Sequence, residues 1–375
     1  MPYTRRSFLR SLGATAAFAH SFRAHAAVAT DLEELLAKSI VIDALSYLHR
    51  NPDVREADHS TPDFPMLEES GVTMVSPTTD RRTLDADAAY HDALKRLAEL
   101  QSIAARYPDR MLLIRNGSDI EVAKRENKVS ALPNFQDTTA IGTDLKNLDV
   151  FFDLGVRQIQ LTYNWRNLVG DGCLERTGTG LCYYGLELVE KMNELGIVVD
   201  VSHSGHRTSM DAIEASRKPI LFSHTNCKAI YDHPRNKSDE AIKALAKKGG
   251  VMGMTLLSWF ISENSPSTLD DLLDHFDHAI RLVGPDHVGI GADMGLPGWR
   301  ATQPDPIWEA VKSSFSERSW NLLRPSYPPF IAAVNDARRY LTIAQGLQRR
   351  GHSLSDIQKV LGLNFLRVYK EVLPG

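Results

Sequence analysis

Three cysteines in 375 residues are too few for a disulfide scaffold, and aromatic residues make up only 8% of the chain. Positive charge is not in surplus: 43 Lys and Arg against 47 Asp and Glu leave a net charge of −4. The basic face that nucleic acid requires therefore has no source here. Beyond the N-terminal segment no apolar run is long enough to cross a bilayer, and no internal repeat or low-complexity linker marks an array of small units. What remains is a chain 43% apolar, enough to bury a large core in one large domain or two ordinary ones.

The N-terminus stands apart. "TRRSFLR" pairs Arg5 with Arg6 ahead of Ser7, Phe8 and Leu9, a small-residue apolar segment covers residues 12–22, and Arg23-Ala24-His25-Ala26 ends in a small-x-small site. That order describes a twin-arginine export signal, residues 1–26, cleaved near Ala26; an ordinary basic N-terminus is the plainer alternative. Residues 27–375 would then form a single periplasmic domain. Its net charge would be −8, because the signal carries four arginines and no acid. Export of this kind carries proteins already folded, which suits a ligand loaded in the cytoplasm. Cys173 and Cys182 bracket the Gly-rich "CLERTGTGLC". An oxidising compartment would permit a disulfide between them, and spacing alone leaves the pairing open.

Short apolar runs of strand length occur at 39–45, 71–75, 110–114, 129–132, 156–162, 197–202, 219–223, 251–255 and 287–291. They alternate with amphipathic stretches at 86–107, 145–154, 184–195, 238–248 and 269–283. Such alternation predicts parallel βα units, and runs rich in Val, Ile and Leu predict a sheet covered on both faces. About eight units over roughly 350 residues suit a closed (β/α)8 barrel, in which chemistry gathers where the strands end. Residues 296–328, rich in Pro and Trp, read as a long loop or lid over the barrel mouth. The tail from Arg338 through "SLSDIQKVLGLNFLRVYKEV" reads as closing helices, one of them capped by Ser353.

The polar residues just past the predicted strands are Gln136, Tyr163-Asn164, His203, His224 and Asp293. All would face one barrel mouth. "VDVSHSG" and "ILFSHTN" each end an apolar run on Ser-His, so two histidines take matching places on successive units. A lone histidine there is more often a packed rim residue than a ligand, but a matched pair with Asp293 on a third strand describes a metal site. Two imidazoles and a carboxylate with an open position suit catalytic zinc or ferrous iron.

The stretches "LGVRQIQLTYN", "GLELVEKMNELGIVVDVSHSG", "KPILFSHTNCKAIYDHPRNKSDE", "LVGPDHVGIGADM" and "GLNFLRVYKEV" resemble the membrane (renal) dipeptidases, binuclear zinc metallopeptidases on an amidohydrolase-like (β/α)8 barrel. The resemblance covers most of the chain after the signal. It implies that His203 and His224 are the paired imidazoles of one metal, that Asp293 is the aspartate near the other, and that Arg235 holds a substrate carboxylate. A guanidinium suits that task because its fork donates two parallel hydrogen bonds; a structural ion pair is the alternative for Arg235.

The departures bear on mechanism. The family's first strand ends in His-x-Asp, where this chain has Leu45 and Tyr47 in "VIDALSYLHR". The family's bridging glutamate falls on Gln136, and its substrate-contacting histidine on Tyr163. Counting donors, one ion is expected, zinc first and iron second, held by His203, His224 and Asp293 with Gln136 or water completing the shell. Asp293 would serve either as ligand or as the base that accepts a proton. Tyr163 is the candidate acid and, with Asn164, the candidate substrate contact, unless both merely cap a strand. Cys227 is a conceivable soft ligand but reads better as a small apolar loop residue. His206 and Arg207 fall on the helix that follows, and His233, His275, His278 and His287 read as packing or surface residues.

The expected function is an exported dipeptidase-like metallohydrolase for a dipeptide or related small carboxylate-bearing amide, without a nucleic-acid partner or membrane span and with a homodimer left open. Two other classes stay in view: a non-hydrolytic isomerising or maturation enzyme for an exported small molecule, and a metal-free carboxylate-binding homologue.

Overall fold

The computed structural model describes residues 31–48, 62–80, 83–296, 298 and 306–375. The export signal read at residues 1–26 lies outside them. Ten short strands run in chain order: β1 Ile42–Asp43, β2 Met74–Val75, β3 Met111–Leu113, β4 Val129–Ala131, β5 Asn134–Phe135, β6 Gln158–Gln160, β7 Val198–Asp200, β8 Leu221–Thr225, β9 Val251–Met254 and β10 Val288–Ile290. Every pairing between them is parallel, in the order β3-β4-β2-β1-β10-β9-β8-β7-β6-β5.

The sheet closes on itself through a joint the sequence reading missed. Pro133 interrupts the stave formed by β4 and β5, since it has no N–H for the ladder. Beyond it Asn134 pairs in parallel with Thr78 past the end of β2, Asn134 N–H donating to Pro77 O (3.0 Å) and Thr79 N–H to Asn134 O (2.8 Å). With β4 and β5 sharing a stave, the barrel has eight. β3, expected as a stave, instead lies on the outer edge of β4.

Side chains alternate across each strand, and the two sets form two separate cores. Outward-facing Val75, Ile159, Val199, Phe222 and Met252 pack under the surrounding helices. Inward-facing Ile42, Met74, Val198, Leu221 and Val251 meet Phe365 and Tyr369 of the last helix, Asn364–Val372, which plugs the lower end. Gly289 admits that plug, since a Cβ there would lie 2.3 Å from the Phe365 ring. The closing helices are present as expected, and Ser353 caps the helix Leu354–Gln358 by accepting from Asp356 N–H.

Residues 296–328, expected as a long loop or lid, form the lid rather than irregular chain in their described part. They contain two helices, Pro306–Ser314 and Glu317–Leu323, because Trp308, Trp320 and Leu323 have an apolar partner surface in Trp259, Phe260 and Leu174. The polar edges of these aromatics are also satisfied: Trp165 Nε1–H donates to Ser319 Oγ (3.0 Å) and Trp259 Nε1–H to Ser326 O (2.8 Å). Trp165 follows β6 and Trp259 follows β9, so this segment lies over the mouth at the strands' C-terminal ends.

Candidate metal centre at the barrel mouth

His203 and His224 meet at the mouth with their Nε2 atoms 2.9 Å apart, and both are buried. Their opposite ring nitrogens fix the tautomers. Asp200, fully enclosed at the end of β7, accepts from Ser202 N–H (2.9 Å), Ser202 Oγ–H (2.6 Å), Ser223 N–H (3.1 Å) and Ser223 Oγ–H. Having given its proton to Asp200, Ser223 Oγ accepts from His224 Nδ1–H at 2.7 Å. His203 Nδ1–H donates to Asn164 Oδ1 at 2.6 Å. Each imidazole therefore turns its Nε2 toward the other at hydrogen-bond distance, where either a proton held by one ring or a metal ion would satisfy the pair. The donor chemistry fits one metal ion held by this pair.

The outer support is dense. Burial pushes the Asp200 carboxyl upward, while its serine donors pull it back. Lys237 Nζ donates to Val201 O (2.8 Å), Ser204 O (2.7 Å) and Ser209 Oγ (3.2 Å), clamping the turn that carries His203. Burial lowers the Lys237 ammonium to about 7. Tyr163 stacks on His203 with ring centroids 4.1 Å apart.

Three groups singled out in the sequence have defined partners. Arg235, expected to hold a substrate carboxylate or to form a structural ion pair, is buried, and it donates from NH1 to Ser202 O (2.7 Å) and from NH2 to His224 O (3.1 Å), tying together the ends of β7 and β8. Only its Nε lacks a partner. Asn164 Oδ1 accepts from His203 Nδ1–H and so positions that ring. The Cys173–Cys182 disulfide is absent: both are free, Cys173 Sγ–H directed to Asn164 Oδ1 (3.5 Å) and Cys182 Sγ–H to Leu168 O (2.9 Å).

Among the described residues no three His, Cys, Asp or Glu side chains gather at one point, so Asp293 does not complete a cluster with the two imidazoles. Asp293 is half-buried after β10, in the left-handed region at φ 59°, a conformation that costs a non-glycine residue of order 1 kcal/mol or more. Its surroundings hold it there. Asp293 N–H donates to Leu45 O (2.9 Å), and the buried Arg339 donates to Met294 O (3.4 Å), Gly295 O (2.7 Å) and Leu296 O (2.9 Å). Gln136 sits in the wall between β2 and β6, its Nε2–H on Thr78 Oγ1 (2.8 Å) and its carbonyl accepting from Gln160 Nε2–H (2.6 Å).

The remaining candidates are packing groups. Cys227 lies in the apolar core beneath His275, whose Nδ1 accepts Cys227 N–H (3.0 Å) while its Nε2–H donates to Ile261 O (2.7 Å). His233 Nε2–H donates to Leu323 O (2.9 Å), fastening the lid. Burial holds both histidines down at about 4, so they are neutral at physiological pH. Sequence reasoning missed Asp200 and Lys237. The signal for Asp200 was the spacing Asp-x-Ser-His, in which an inward acid precedes an inward serine.

A parallel eight-stave barrel with two imidazole donors where strands end is the architecture of amidohydrolase-like enzymes. The family profile described as "Membrane dipeptidase (Peptidase family M19)" matches residues 23–302, and the chain belongs to that family. It is 26% identical over 76% of its length to a dipeptidase of Claviceps purpurea and 29% identical over 75% to an uncharacterised dipeptidase of Schizosaccharomyces pombe. It spans 62% of the length of each. An amidohydrolase from Pseudomonas aeruginosa has a similar structure, with a TM-score of 0.74 at 29% identity over 91% of this chain and 99% of that one.

Proposed function

We propose that this protein is an exported dipeptidase-like hydrolase that works with one metal ion, zinc first and iron second, on a dipeptide or related small amide bearing a carboxylate. The observation that supports this reading is the meeting of the two Nε2 atoms of His203 and His224 at the barrel mouth, set against Leu45 and Tyr47 at the end of β1. A leucine offers no donor, so the second ion of the family's binuclear centre has lost ligands. Family membership supports hydrolysis, and the signal at residues 1–26 supports delivery to the periplasm.

His203 and His224 would hold the ion, which when bound supplies Lewis acidity to polarise a carbonyl and favour attack by water. Asp293 would accept the proton from the attacking water. The unspent Nε–H of Arg235 would donate to the substrate carboxylate, with its other two arms already anchored. Tyr163 would guide the scissile amide over His203 and return a proton to the leaving amine. A second reading, a non-hydrolytic maturation enzyme, is favoured by the same Leu45 and Tyr47.

Metal analysis of protein folded in the cytoplasm, with turnover measured on a dipeptide panel, tests the proposal. About one zinc or iron per chain with slow, selective cleavage is the expected result. Two ions per chain with fast cleavage of simple dipeptides would overturn the reduced site. One ion without any cleavage would favour the second reading, and a metal-free protein would leave a carboxylate binder.

A further inference from the structure

Regular alternation along β8 sends Leu221 and Ser223 inward and Phe222 outward, which would turn His224 away from the mouth. The register supplies the exception. Phe222 pairs with Met252 and Thr225 with Met254, so Ser223 and His224 together face Gly253. One extra residue of this kind is a β-bulge, which kinks a strand and re-aims a side chain. The kink pushes the Ser223 carbonyl into space that side chains of the next two strands would occupy. A Cβ on Gly253 would lie 2.1 Å from Ser223 O; one on Gly291 would lie 1.8 Å from the same oxygen and 3.2 Å from His224 Cα. Neither glycine has a positive φ, so the fold uses their missing side chain rather than their backbone freedom.

We propose that Gly253 and Gly291 are positioning residues: they seat the bulge in β8 and so hold the His224 imidazole opposite His203 for a shared metal ion. Two glycines on adjacent strands converge on a single carbonyl, and that carbonyl belongs to the peptide leading into His224. A methyl group on either strand forces the peptide to move, and the imidazole with it. Metal ligands tolerate little such displacement, since productive geometry is held within about 0.5 Å. The inference rests on the metal reading of the histidine pair.

Zinc affinity of the full chain, measured by competition with a chromophoric chelator, tests it. Gly253→Ala and Gly291→Ala should each raise the zinc Kd by roughly 10–100-fold, as other losses of ligand support do. Gly250→Ala is the matched control: its Cβ would lie 2.3 Å from Ile220 O, just before β9 and away from His224. That variant should lose thermal stability yet keep the wild-type zinc Kd. A folded Gly253→Ala or Gly291→Ala variant that binds zinc as tightly as wild type overturns the inference. An equal affinity in His224→Ala overturns the metal reading instead. Should neither alanine variant fold, the crystal structure of the zinc-loaded wild-type chain decides. Ser223 O seated over both glycines with His224 on zinc supports the role, and a regular β8 overturns it.

Discussion

The two sides of the barrel mouth are built to different standards. Around β7 and β8, two imidazoles are each backed by a hydrogen-bond acceptor, a shared buried carboxylate, and two cations that tie down the strand ends. Around β1, the corresponding places hold a buried leucine and a tyrosine, and the buried Asp43 is spent on structure: Oδ1 accepts from Ala292 N–H (2.8 Å) and Leu45 N–H (3.3 Å), and Oδ2 from Tyr340 Oη–H (2.8 Å). The contrast is between a side whose histidines are held by a dense buried network and a side whose buried carboxylate serves the scaffold.

The largest effect should come from the imidazoles. His203→Ala and His224→Ala should each abolish stoichiometric metal binding, a loss beyond the roughly 10–100-fold that follows from disturbing outer groups, while circular dichroism stays near wild type. Full occupancy in either variant would reduce the pair to core histidines. The converse change, Leu45→His with Tyr47→Asp and Gln136→Glu, should raise the metal content from one toward two ions per chain, provided the pocket absorbs the altered volumes. An unchanged content in the folded triple variant would mean that the β1 side has lost more than its ligands.

Next comes the shared carboxylate. Asp200→Asn keeps the shape but replaces an oxygen by an NH2 group that faces serine donors, leaving a buried donor unmet at a cost of about 1–3 kcal/mol. Because Ser223 then loses its acceptor, it no longer fixes His224 as the Nδ1–H tautomer, and metal affinity should fall roughly 10–100-fold. Denaturant unfolding and zinc titration would measure the two losses. A stability loss with affinity untouched would confine Asp200 to packing.

Much of this was legible from the chain. The strand expected at 197–202 is present as β7, Val198–Asp200, and Ser-His on two successive units brought His203 and His224 forward from the sequence. What escaped has a physical reason in each case. Asn134–Phe135 is a two-residue strand behind a proline, too short for any periodicity to announce it, although it closes the barrel. The anchoring of Arg235 on two carbonyls carries no signal along the chain, because a cation's partner is a matter of tertiary contact. The lid helices were hidden because Trp and Pro suggest irregular chain, whereas the tryptophans there have one another and Phe260 to pack against. Gly253 and Gly291 carry no signal along the chain, since their role is the space left beside a carbonyl on another strand.

The two sides also differ in how they respond to pH. The buried Lys237 ammonium sits at about 7, against an ordinary value near 10.4. Between those values the unfolded chain holds a proton that the folded chain has given up, so stability rises with pH through that window. Wild type should gain on the order of 2–3 kcal/mol between pH 7 and pH 9 relative to Lys237→Met, whose constant loss of hydrogen bonds drops out of the comparison. Parallel stability curves for the two proteins would show that Lys237 stays protonated across the range.

On the β1 side the sign reverses and the effect is smaller. Burial raises the Asp43 carboxyl to about 6, against an ordinary value near 3.9, with its hydrogen bonds and Arg339 opposing the rise. Between pH 4 and pH 6 the folded chain holds the proton more tightly than the unfolded chain, so this group's contribution to stability falls as pH rises through that window. Asp43→Asn resembles the protonated acid. Its oxygen can accept from Ala292 and Leu45 while its NH2 donates to Tyr340 Oη, which then turns its own proton elsewhere. The variant should match wild type at pH 4 and exceed it by on the order of 2 kcal/mol at pH 7, as urea unfolding at the two values would measure. A variant weaker than wild type at pH 7 would mean that Asp43 works as a carboxylate, and that the β1 side still holds a charge toward the mouth despite Leu45 and Tyr47.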